Sequence, residues 1–479
     1  GPLEMLLALD KVAPVRQLLL QVFAAQNTDG DWPQWFMFFE RERNIRPGDS
    51  HGDIVYWPLL ALAQYLSATG DAGLLDETLP YFQFDENGAE AATIRQHVDR
   101  ALELIRHRVI AGTRLAAYGH GDWNDSLQPA KPDMRERLCS SWTVTLNYQT
   151  FIALAAAFRS IGIENEAVEL EAEAAVILQQ FQEILIVDDV VAGLAYFQHA
   201  EKPDYLLHPR DGTTGLSYSL LPMIHAVIND MFTPAQAENH LQLIREHLLG
   251  PDGAHLFDRP MAYHGGIQTN FQRAETASYF GREIGIMYTH AHLRYSEALA
   301  RFGDAEGFFH ALGQLNPIAI RELVPTAAPR QANCYYSSSD PAFADRYAAF
   351  DDYAKVNAGE IALEGGWRVY SSGSGIAVRL IMQSFLGLRM EKTALVVDPV
   401  IAPSLDGLTA YLTIGDRPIE VVYHTGETGR GPVSIELNGK PIEFVRGENP
   451  YRLAGVRIPK ASWDGLLTGN NDRLTITLE

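Results

Sequence analysis

The sequence predicts a mainly α-helical protein, an (α/α)6 toroid-type domain followed by a small antiparallel β-sandwich. Up to about residue 389, amphipathic helical stretches alternate with connections rich in Gly, Pro and Asp. Beyond that point, apolar residues alternate with period two in segments rich in Val, Ile, Thr and Tyr. A chain of 479 residues also exceeds the usual size of one hydrophobic core. We therefore expect a helical domain over residues 1–389 and a β-sandwich domain over residues 390–479.

Stretches with apolar residues at helical spacing follow one another along the first domain. In chain order they are KVAPVRQLLLQVFAAQ, IVYWPLLALAQYLSATGD, AATIRQHVDRALELIRHRV, TLNYQTFIALAAAFRSIG, NEAVELEAEAAVILQQFQEIL, GLSYSLLPMIHAVINDM, PAQAENHLQLIREHLL and GIMYTHAHLRYSEALARFGD. Many of them end in Gly, Asp or Pro, which is typical of helix C-termini. The connections between them are long and rich in Trp, Tyr, His and Asp, so we expect functional loops gathered at one end of the toroid.

The second domain contains segments typical of strands. They are TALVVDPVI, GLTAYLTIG, RPIEVVYHTG, VSIELNGKPIEFV, YRLAGVRIP and RLTITLE. The Asn-Gly pair within ELNGKPI predicts a hairpin with a two-residue turn.

Composition restricts the partners and the compartment. The formal net charge of −22 argues against binding to nucleic acid or to an anionic membrane, and favours neutral polar ligands. The two cysteines, Cys139 and Cys334, lie far apart in sequence, which favours free thiols and a cytoplasmic location. No apolar run is long enough to span a bilayer. The opening residues GPLE, before Met5, resemble a cloning or protease scar.

Metal and nucleotide sites are not expected. The fifteen histidines form neither an HExxH motif nor a cluster with cysteine, and His290 and His292 would lie on different faces of a helix. The segments GTTGLS and SSGSG lack the lysine of a nucleotide-binding phosphate loop. The sequence therefore predicts no metal and no cofactor.

The segment GHGDWNDSLQPA, residues 119–130, places two carboxylates, an indole and an amide between glycines. An aspartate beside a tryptophan is suited to a sugar, which offers an apolar face and a rim of hydroxyls, and this makes Trp123 and Asn124 candidate ligands. The aromatic neighbour would also raise the pKa of Asp125, as a general acid requires. The alternative is that Asp122 or Asp125 caps the following helix and Trp123 belongs to the core.

A second aromatic segment is DGDWPQWFMFFERERNIRPGDSHGDIVYWP. It gathers Trp32, Trp35, His51, Asp53 and Trp57 around a Gly-Asp loop that leads into a helix. Of these, Trp35, His51 and Asp53 are candidate sugar ligands. The alternative is that Asp53 caps the helix and the aromatic side chains fill the space between helices.

Two further segments are candidate anion sites. In MAYHGGIQTNFQRAE, a Gly-Gly turn and amide donors precede a helix, and Arg273 follows Asn270 with a fork of further donors. The alternative there is that Arg273 pairs with Glu275 or Glu283.

The other segment, GGWRVYSSGSGIAVRLI, places Ser372 and Ser374 ahead of an apolar helix. Their hydroxyls and the free N–H groups of that turn could hold phosphate. Small residues at this position would also allow close packing of helices.

Four segments together resemble the glycoside hydrolase family 94 phosphorylases, and within that family the 1,2-β-oligoglucan phosphorylases. In chain order they are GHGDWNDSLQPA, HGGIQTNFQRAETASYFGREIGIMYTHAHLRYSEAL, NPIAIRE and GGWRVYSSGSGIAV. The resemblance runs from about Asp29 to the end of the chain.

This resemblance implies an inverting phosphorolysis of β-1,2-linked glucooligosaccharides, in which phosphate is a substrate and α-glucose 1-phosphate is released. It assigns the general acid to Asp125, a sugar contact to Trp123 and a phosphate contact to Ser372. Arg273 and Ser374 are further candidates for the phosphate site. Asn270 stands where the family's disaccharide phosphorylases carry a histidine a few residues after the Gly-Gly pair.

The chain departs from the family in one larger respect. The donor-subsite segment FRDxxQD and the N-terminal β-sandwich of the family are not found in it. The resemblance therefore implies either a longer enzyme or a partner chain that supplies the missing part, and homodimers are common in the family.

Two alternatives to the phosphorylase remain at this stage. One is an inverting glycoside hydrolase in which Asp53 activates water as a general base. The other is a non-catalytic glucan-binding fragment.

Overall fold

The computed structural model describes residues 1–82, 90–198, 202–281, 284–368, 371–414, 417–469 and 472–479. In this part of the chain, α-helices dominate the first 380 residues and strands dominate the rest. The helices are α1 (Pro2–Ala8), α2 (Val12–Phe23), α3 (Tyr56–Thr69), α4 (Ile94–His107), α5 (Met134–Arg137), α6 (Ser141–Ser160), α7 (Glu164–Gln180), α8 (Leu220–Ile228), α9 (Pro234–Leu243), α10 (Gln272–Thr276), α11 (Thr289–Phe302), α12 (Ala305–Gly313), α13 (Ile320–Leu323), α14 (Arg346–Asp351), α15 (Ala354–Asn357), α16 (Ser371–Leu380) and α17 (Lys460–Leu466).

Short strands connect the helices, and longer strands build the C-terminal region. They are β1 (Thr78–Pro80), β2 (Ala91–Thr93), β3 (Leu138–Ser140), β4 (Ile186–Val187), β5 (Val190–Val191), β6 (Leu194–Tyr196), β7 (Asp204–Leu206), β8 (Leu249–Gly250), β9 (Gly253–Ala254), β10 (Met287–Tyr288), β11 (Ser338–Pro341), β12 (Leu363–Gly365), β13 (Leu388–Met390), β14 (Ala394–Val397), β15 (Thr409–Ile414), β16 (Arg417–His424), β17 (Pro432–Leu437), β18 (Lys440–Pro441), β19 (Val445–Arg446), β20 (Val456–Pro459) and β21 (Asp472–Leu478).

The helices form where the sequence pattern predicts them, and local capping helps to begin them. Helix α4 starts with a reciprocal capping box, in which the Thr93 hydroxyl accepts from the Gln96 N–H and the Gln96 side chain accepts from the Thr93 N–H. Its buried face includes Ile94, Val98 and Ile105, at spacings of four and seven residues, which place them on one side of the helix. All eight stretches with helical spacing contain a helix of the structure.

Helices of the first region pack in a circuit. Helices α3, α6, α8, α11 and α16 contact one another in that order, and α1 contacts both α16 and α3. Helices α2, α7, α9 and α12 pack respectively on α3, α6, α8 and α11. The helices of the circuit from α3 to α11 are buried over most of their length, whereas the second set buries one stripe each.

The C-terminal strands form two sheets that share one core. The sheet orders are β13-β14-β20-β19 and β15-β16-β21-β17-β18, and apolar side chains of both sheets meet in one cluster. The expectation of a purely antiparallel sandwich is wrong at one pair, because β16 and β21 are parallel. The last strand, β21, lies between β16 and β17. The connection that precedes it comes from β20 in the other sheet, and the direction of β21 follows from that connection. The Asn438-Gly439 turn joins β17 and β18 with positive φ at both residues, which confirms the predicted hairpin.

The two regions have separate cores but make specific contacts. The helical core runs from Val15 to Leu380 with Val400 added, and the second core runs from Leu386 to Leu478. The predicted boundary, between residues 389 and 390, falls inside β13. The Arg452 guanidinium pairs with Asp398 at 2.7 Å and donates to the Ala300 carbonyl, so a β-region side chain reaches the end of α11.

The opening residues are part of this packing. Glu4, within the segment that resembles a processing scar, accepts from Arg294 at 2.6 Å and pairs with Arg379 at 2.6 Å. These groups tie α1 to α11 and α16, two neighbouring helices of the circuit.

Candidate functional site

The two aromatic segments of the sequence meet through their main chains. The Gly52 N–H donates to the Gly121 carbonyl at 2.8 Å, and His51 forms a β-bridge with Gly119. Gly121 has φ of +136°, a conformation that residues with a side chain rarely adopt. The fold therefore needs glycine here to place residues 119–125 against residues 51–53.

Asp125 is the more exposed of the two carboxylates in this segment, with about a third of its side chain accessible. It begins a short 3-10 turn over Asp125–Leu127. One of its oxygens lies 3.7 Å from His51 Nδ1 and the other 3.8 Å from Arg273 Nη1. The structure thus brings together three of the predicted site residues around one carboxylate.

Asn124 takes the capping role that the sequence left open for an aspartate. Its Oδ1 accepts from the Ser126 N–H at 3.2 Å and from the Ser126 hydroxyl at 2.6 Å. The side chain is buried at 2 % exposure. Its oxygen therefore stabilises the turn that begins at Asp125. The prediction that Asn124 also contacts sugar stays a prediction.

Asp122 and Asp53 form a buried carboxyl pair behind the exposed acid. Asp122 accepts from the Ser140 hydroxyl at 2.7 Å and from the Asn124 N–H at 3.0 Å, and burial raises its pKa. Asp53 accepts from Trp57 Nε1 at 2.9 Å, and its other oxygen is buried without a hydrogen-bond partner in the described part of the chain. Burial, and then the neighbouring Asp122 charge, raise the pKa of Asp53 to about 8.

Asp53 does not act as a helix cap. Helix α3 begins at Tyr56 without a side-chain cap, and the Asp53 carboxyl bonds to Trp57 instead. The capping alternative is therefore wrong, because the Asp53 carboxyl accepts from the Trp57 indole and not from a main-chain N–H of the first turn of α3.

His51 is surrounded by polar groups of both loops. Its Nδ1 lies 2.9 Å from the main-chain oxygen of Asp122 and 3.1 Å from the Gln34 side-chain nitrogen. Its Nε2 lies 3.1 Å from the Gln128 side-chain nitrogen. The neighbouring loop is fixed by Gln34, whose side-chain oxygen accepts from the His51 N–H, and Trp35 follows directly with 49 % of its surface exposed.

Trp123 packs within a group of aromatic side chains next to Asp125. Its ring centroid is 5.0 Å from Tyr288, 5.0 Å from His290 and 6.4 Å from Trp142. The contact with Tyr288 and His290 joins the Asp125 segment to the start of α11. This packing agrees with the alternative that Trp123 belongs to the core. It also leaves the Trp123 ring beside Asp125.

His290 was missed as a site residue by the sequence analysis. Its Nδ1 is buried without a hydrogen-bond partner in the described residues, and burial lowers its pKa well below the usual value. A signal was present, because His290 lies inside a segment that carries the family resemblance. From the sequence, His290 was considered only as a metal ligand.

The Gly-Gly segment lies against the acid segment. Phe271 forms a β-bridge with Pro129, the Ala130 N–H donates to the Asn270 carbonyl at 2.9 Å, and Arg273 follows within α10. The Asn270 side-chain oxygen accepts from Lys131 Nζ at 3.4 Å. These contacts explain how Arg273 reaches Asp125.

The main-chain amides of this segment are not free for an anion, which corrects that part of the prediction. The N–H groups of Thr269, Asn270 and Phe271 all donate to the Glu275 carboxylate, at 2.5–3.0 Å. The alternative of a pair between Arg273 and Glu275 is therefore not observed, and Glu283 lies outside the described residues. The side chain of Glu275 already fills the place predicted for a ligand.

Ser372 and Ser374 lie in the first turn of α16, not in a loop ahead of it. The Ser372 hydroxyl oxygen is buried without a hydrogen-bond partner in the described residues, and Ser374 is half-buried. A Cβ added at Gly373 would lie 3.0 Å from Thr289 Cγ2, so glycine allows α16 to approach the start of α11. The close packing that the sequence left as an alternative is thus present, and it places the first turn of α16 against Thr289, the residue before His290.

Metal-binding geometry is absent from the described residues, where no three His, Cys, Asp or Glu side chains are grouped to hold an ion. None of the helices in the described ranges is long and apolar enough to cross a membrane. The prediction that no cofactor is used stays a prediction.

An exposed acid beside tryptophan, on the loops of a helical circuit, is typical of proteins that process glycosides. Comparison with known proteins gives the family. The chain belongs to the Glycosyl hydrolase 94 superfamily, whose catalytic domain matches residues 17–338. Residues 387–476 match the glycoside phosphorylase C-terminal domain.

Curated relatives agree with this assignment. The chain is 40% identical over its whole length to a 1,2-beta-oligoglucan phosphorylase of Listeria innocua serovar 6a, and covers 43% of that protein. It is 22% identical over 82% of its length to an N,N'-diacetylchitobiose phosphorylase of Vibrio proteolyticus, of which it covers 45%. It is also 22% identical over 88% of its length to the cyclic beta-(1,2)-glucan synthase NdvB of Rhizobium meliloti, of which it covers 14%. The chain spans less than half the length of these relatives.

Proposed function

We propose that this chain carries the acid and phosphate parts of an inverting phosphorylase that acts on β-1,2-linked glucooligosaccharides. Phosphate attacks the anomeric carbon of the terminal glucose, the glycosidic bond breaks, and α-glucose 1-phosphate and a shortened oligosaccharide are released. The reaction is reversible. The name of the Listeria relative supports the linkage, and family membership supports the reaction class.

In this mechanism Asp125 donates its proton to the departing glycosidic oxygen. Its partial exposure gives access to a substrate, and the His51 imidazole and Arg273 guanidinium on either side fix the orientation of the carboxyl group. Trp123 supports the apolar face of the sugar. Trp35, at the exposed edge, and Asp53 and Asn124, behind the acid, are the remaining candidates for sugar contacts.

Phosphate is proposed to bind on the side of α11 and α16. The Ser372 hydroxyl and the His290 nitrogen, which have no hydrogen-bond partner in the described part of the chain, are groups that a bound anion would satisfy. Arg273 provides a guanidinium suited to a phosphate oxygen pair, and Asn270 and Ser374 are secondary candidates. His290 acts as a neutral donor, because burial disfavours its charged form.

The observation that carries the proposal is the contrast between Asp125 and Asp53. An inverting hydrolase needs a second carboxylate that is ionised and can activate water. Asp53 is buried, and its pKa of about 8 keeps it mostly protonated at neutral pH, so it is a poor base. A phosphorylase needs no second carboxylate, because phosphate is the nucleophile.

We also propose the finer architectural and cellular features expected from the sequence. The six helices that form the circuit in the described residues would be the inner ring of an (α/α)6 toroid. The protein would work in the cytoplasm, consistent with two free cysteines, without a cofactor and with phosphate as a substrate only. A further segment of a longer chain, or a second copy in a homodimer, would complete the donor subsite.

The test is product analysis after incubation of the purified protein with a β-1,2-glucooligosaccharide, with and without phosphate. Phosphate-dependent release of α-glucose 1-phosphate is the expected result. Free sugars formed without phosphate would identify a hydrolase instead. Binding of the oligosaccharide without any product, in a folded protein, would identify a non-catalytic glucan-binding fragment.

A further inference from the structure

The segment that carries Arg273 is held by two buried side chains of opposite charge. The first is Glu275, which is 1% exposed. Its two oxygens accept three consecutive main-chain N–H groups, from Thr269 at 2.5 Å, Asn270 at 2.9 Å and Phe271 at 3.0 Å. The carboxylate therefore fixes the curvature of the turn just before α10.

The second is Arg346, at the start of α14 and also 1% exposed. Its Nη2 donates to the Met261 carbonyl at 2.7 Å and to the Ala274 carbonyl at 2.8 Å, and its Nη1 donates to the Ala277 carbonyl at 2.8 Å. These carbonyls lie at the beginning and the end of the segment 261–277. One guanidinium thus links the beginning of the segment to its end.

Neither charge is neutralised by a partner of full opposite charge in the described part of the chain. The only ion-pair contact found there for Glu275 is with His264, at 3.8 Å, and none is found there for Arg346. Main-chain dipoles stabilise both charges instead. Burying charges in this way costs more than packing apolar side chains of similar size, so stability alone does not explain the arrangement.

The segment held in this way determines where Arg273 lies. The Gln272 N–H donates to the Gln128 carbonyl at 2.8 Å, and the Ala130 N–H donates to the Asn270 carbonyl at 2.9 Å. The next residue, Arg273, places Nη1 3.8 Å from an Asp125 oxygen. A change in the curvature of residues 269–271 would therefore move the guanidinium relative to the acid.

We propose that Glu275 and Arg346 are positioning residues that together hold the segment 261–277, so that Arg273 stays beside the Asp125 carboxyl and faces the incoming phosphate. The proposal rests on the proposed phosphorolysis. Neither side chain touches a substrate, and both act through the main chain of the segment.

The experiment compares Glu275→Gln and Arg346→Lys with two matched controls far from the site. Asp472→Asn changes a carboxyl that is also 1% exposed and accepts the Thr468 and Gly469 N–H groups. Arg452→Lys changes a buried guanidinium that donates to main-chain carbonyls. For each variant, Tm is measured first, and kcat and both KM values are then measured at a temperature well below the lowest Tm.

We expect the two site variants to lower kcat/KM for phosphate by about 10- to 100-fold, since a misplacement near 1 Å has effects of that order. The KM for the oligosaccharide should stay within about 2-fold, because the sugar side is built by other segments. The controls should lose Tm to a similar extent, with kinetic constants close to those of the wild type. Should Glu275→Gln fail to fold, Glu275→Asp, which keeps the charge and shortens the reach, replaces it.

Failure of the positioning proposal can be distinguished from failure of the proposed function. If the site variants lose Tm but keep their phosphate kinetics, as the controls do, then Glu275 and Arg346 are only structural and the positioning proposal is overturned. If the wild-type protein shows no phosphorolysis, the proposed function fails first. Calorimetric titration with inorganic phosphate then decides the positioning proposal, which is overturned if Glu275→Gln and the wild type bind phosphate equally.

Discussion

At the residue scale, Asp122 and Asp125 are three positions apart and chemically identical, yet their surroundings differ. Asp122 is buried and accepts hydrogen bonds from Ser140 and from the main chain of its own loop. Asp125 is exposed to solvent by about a third and faces His51 and Arg273. One carboxyl group therefore organises the loop, and the other is available for proton transfer.

Replacement of Asp125 by asparagine tests the role of the acid. Asp125→Asn keeps the size and much of the polarity of the side chain but removes the proton donor. We expect kcat for phosphorolysis of the natural oligosaccharide to fall by about 10²- to 10⁴-fold, while oligosaccharide binding and Tm change little. A variant with nearly full kcat would show that another group is the acid.

The protonation of Asp53 gives a pH-dependent stability with a defined sign. Its pKa is about 8 in the folded protein and near the ordinary 3.8 when unfolded, so the folded state holds the proton more tightly. The resulting stability is complete below about pH 4 and is lost as the pH rises toward 8, at up to about 1.4 kcal/mol per pH unit. Asp53→Asn should therefore gain Tm relative to the wild type as the pH is raised from 5 to 9.

Asp472→Asn is the control for this measurement. Hydrogen bonds from Thr468, Asn438 and Gly469 outweigh burial and lower the pKa of Asp472 to about 2. Its contribution is lost only in acid, so the difference in Tm from the wild type should be constant between pH 5 and 9. Parallel Tm curves for Asp53→Asn and the wild type would contradict the protonated state of Asp53.

At the element scale, the start of α16 is compatible with both of the roles that the sequence offered as alternatives. Gly373 permits the close approach of α16 to Thr289 at the start of α11. The same turn presents the Ser372 hydroxyl without a hydrogen-bond partner in the described residues. Close packing of helices therefore does not exclude a phosphate site, because different residues of the turn serve each purpose.

Ser372→Ala separates phosphate binding from sugar binding. A hydrogen bond to a charged group contributes about 1.5–3 kcal/mol, so we expect KM for phosphate to rise by roughly 10-fold or more. The KM for the oligosaccharide should not change. Tm should be retained, because the hydroxyl has no hydrogen-bond partner to lose among the residues that the structure describes.

Ser296→Ala provides the matched control on the neighbouring helix. The Ser296 hydroxyl donates to the His292 carbonyl at 3.0 Å and lies within α11, away from its first turn. Both KM values should remain unchanged in this variant. An unchanged phosphate KM in Ser372→Ala would remove that residue from the phosphate site.

Helix positions were the most predictable feature at this scale, and loop contacts were the least. The 3.6-residue repeat of apolar side chains is local information, and every stretch that carries it contains a helix. The Glu275 carboxylate, by contrast, takes the amides of Thr269 to Phe271, which sequence reasoning had left open for an anion. The local pattern shows that main-chain N–H donors are present, but it does not show which acceptor binds them.

At the scale of the whole molecule, the helical and β regions are joined through buried polar contacts. Arg452 is central to them, since its guanidinium side chain is 3% exposed, pairs with Asp398 of the β region and donates to the Ala300 carbonyl of α11. The Asn449 side chain also donates to the Arg301 carbonyl at 3.0 Å. The β-sandwich is thus held against the C-terminal end of α11, a helix of the circuit.

Arg452→Ala tests how much this contact stabilises the protein. Removal of one partner leaves the Asp398 charge partly buried, and we expect a loss of about 3 kcal/mol in the free energy of unfolding. Arg457→Ala is the matched control, because its pair with Glu391 is at the surface and should contribute less than about 1 kcal/mol. Chemical denaturation measures both, and equal losses would show that the contact between the regions is not special.

The sequence by itself determined the helical and β regions, the hairpin at Asn438-Gly439 and the family, because periodicity, turn chemistry and short motifs are properties of neighbouring residues. It also predicted Asp125, Trp123 and Ser372 as candidate site residues. Three features depend on the tertiary structure: Asp53 is buried and its pKa is raised, β21 pairs in parallel with β16, and Glu275 and Arg346 bind the main chain of the segment that carries Arg273. Burial, the direction of strand pairing and the choice among several acceptors depend on residues distant in sequence, and these residues come together only when the chain folds.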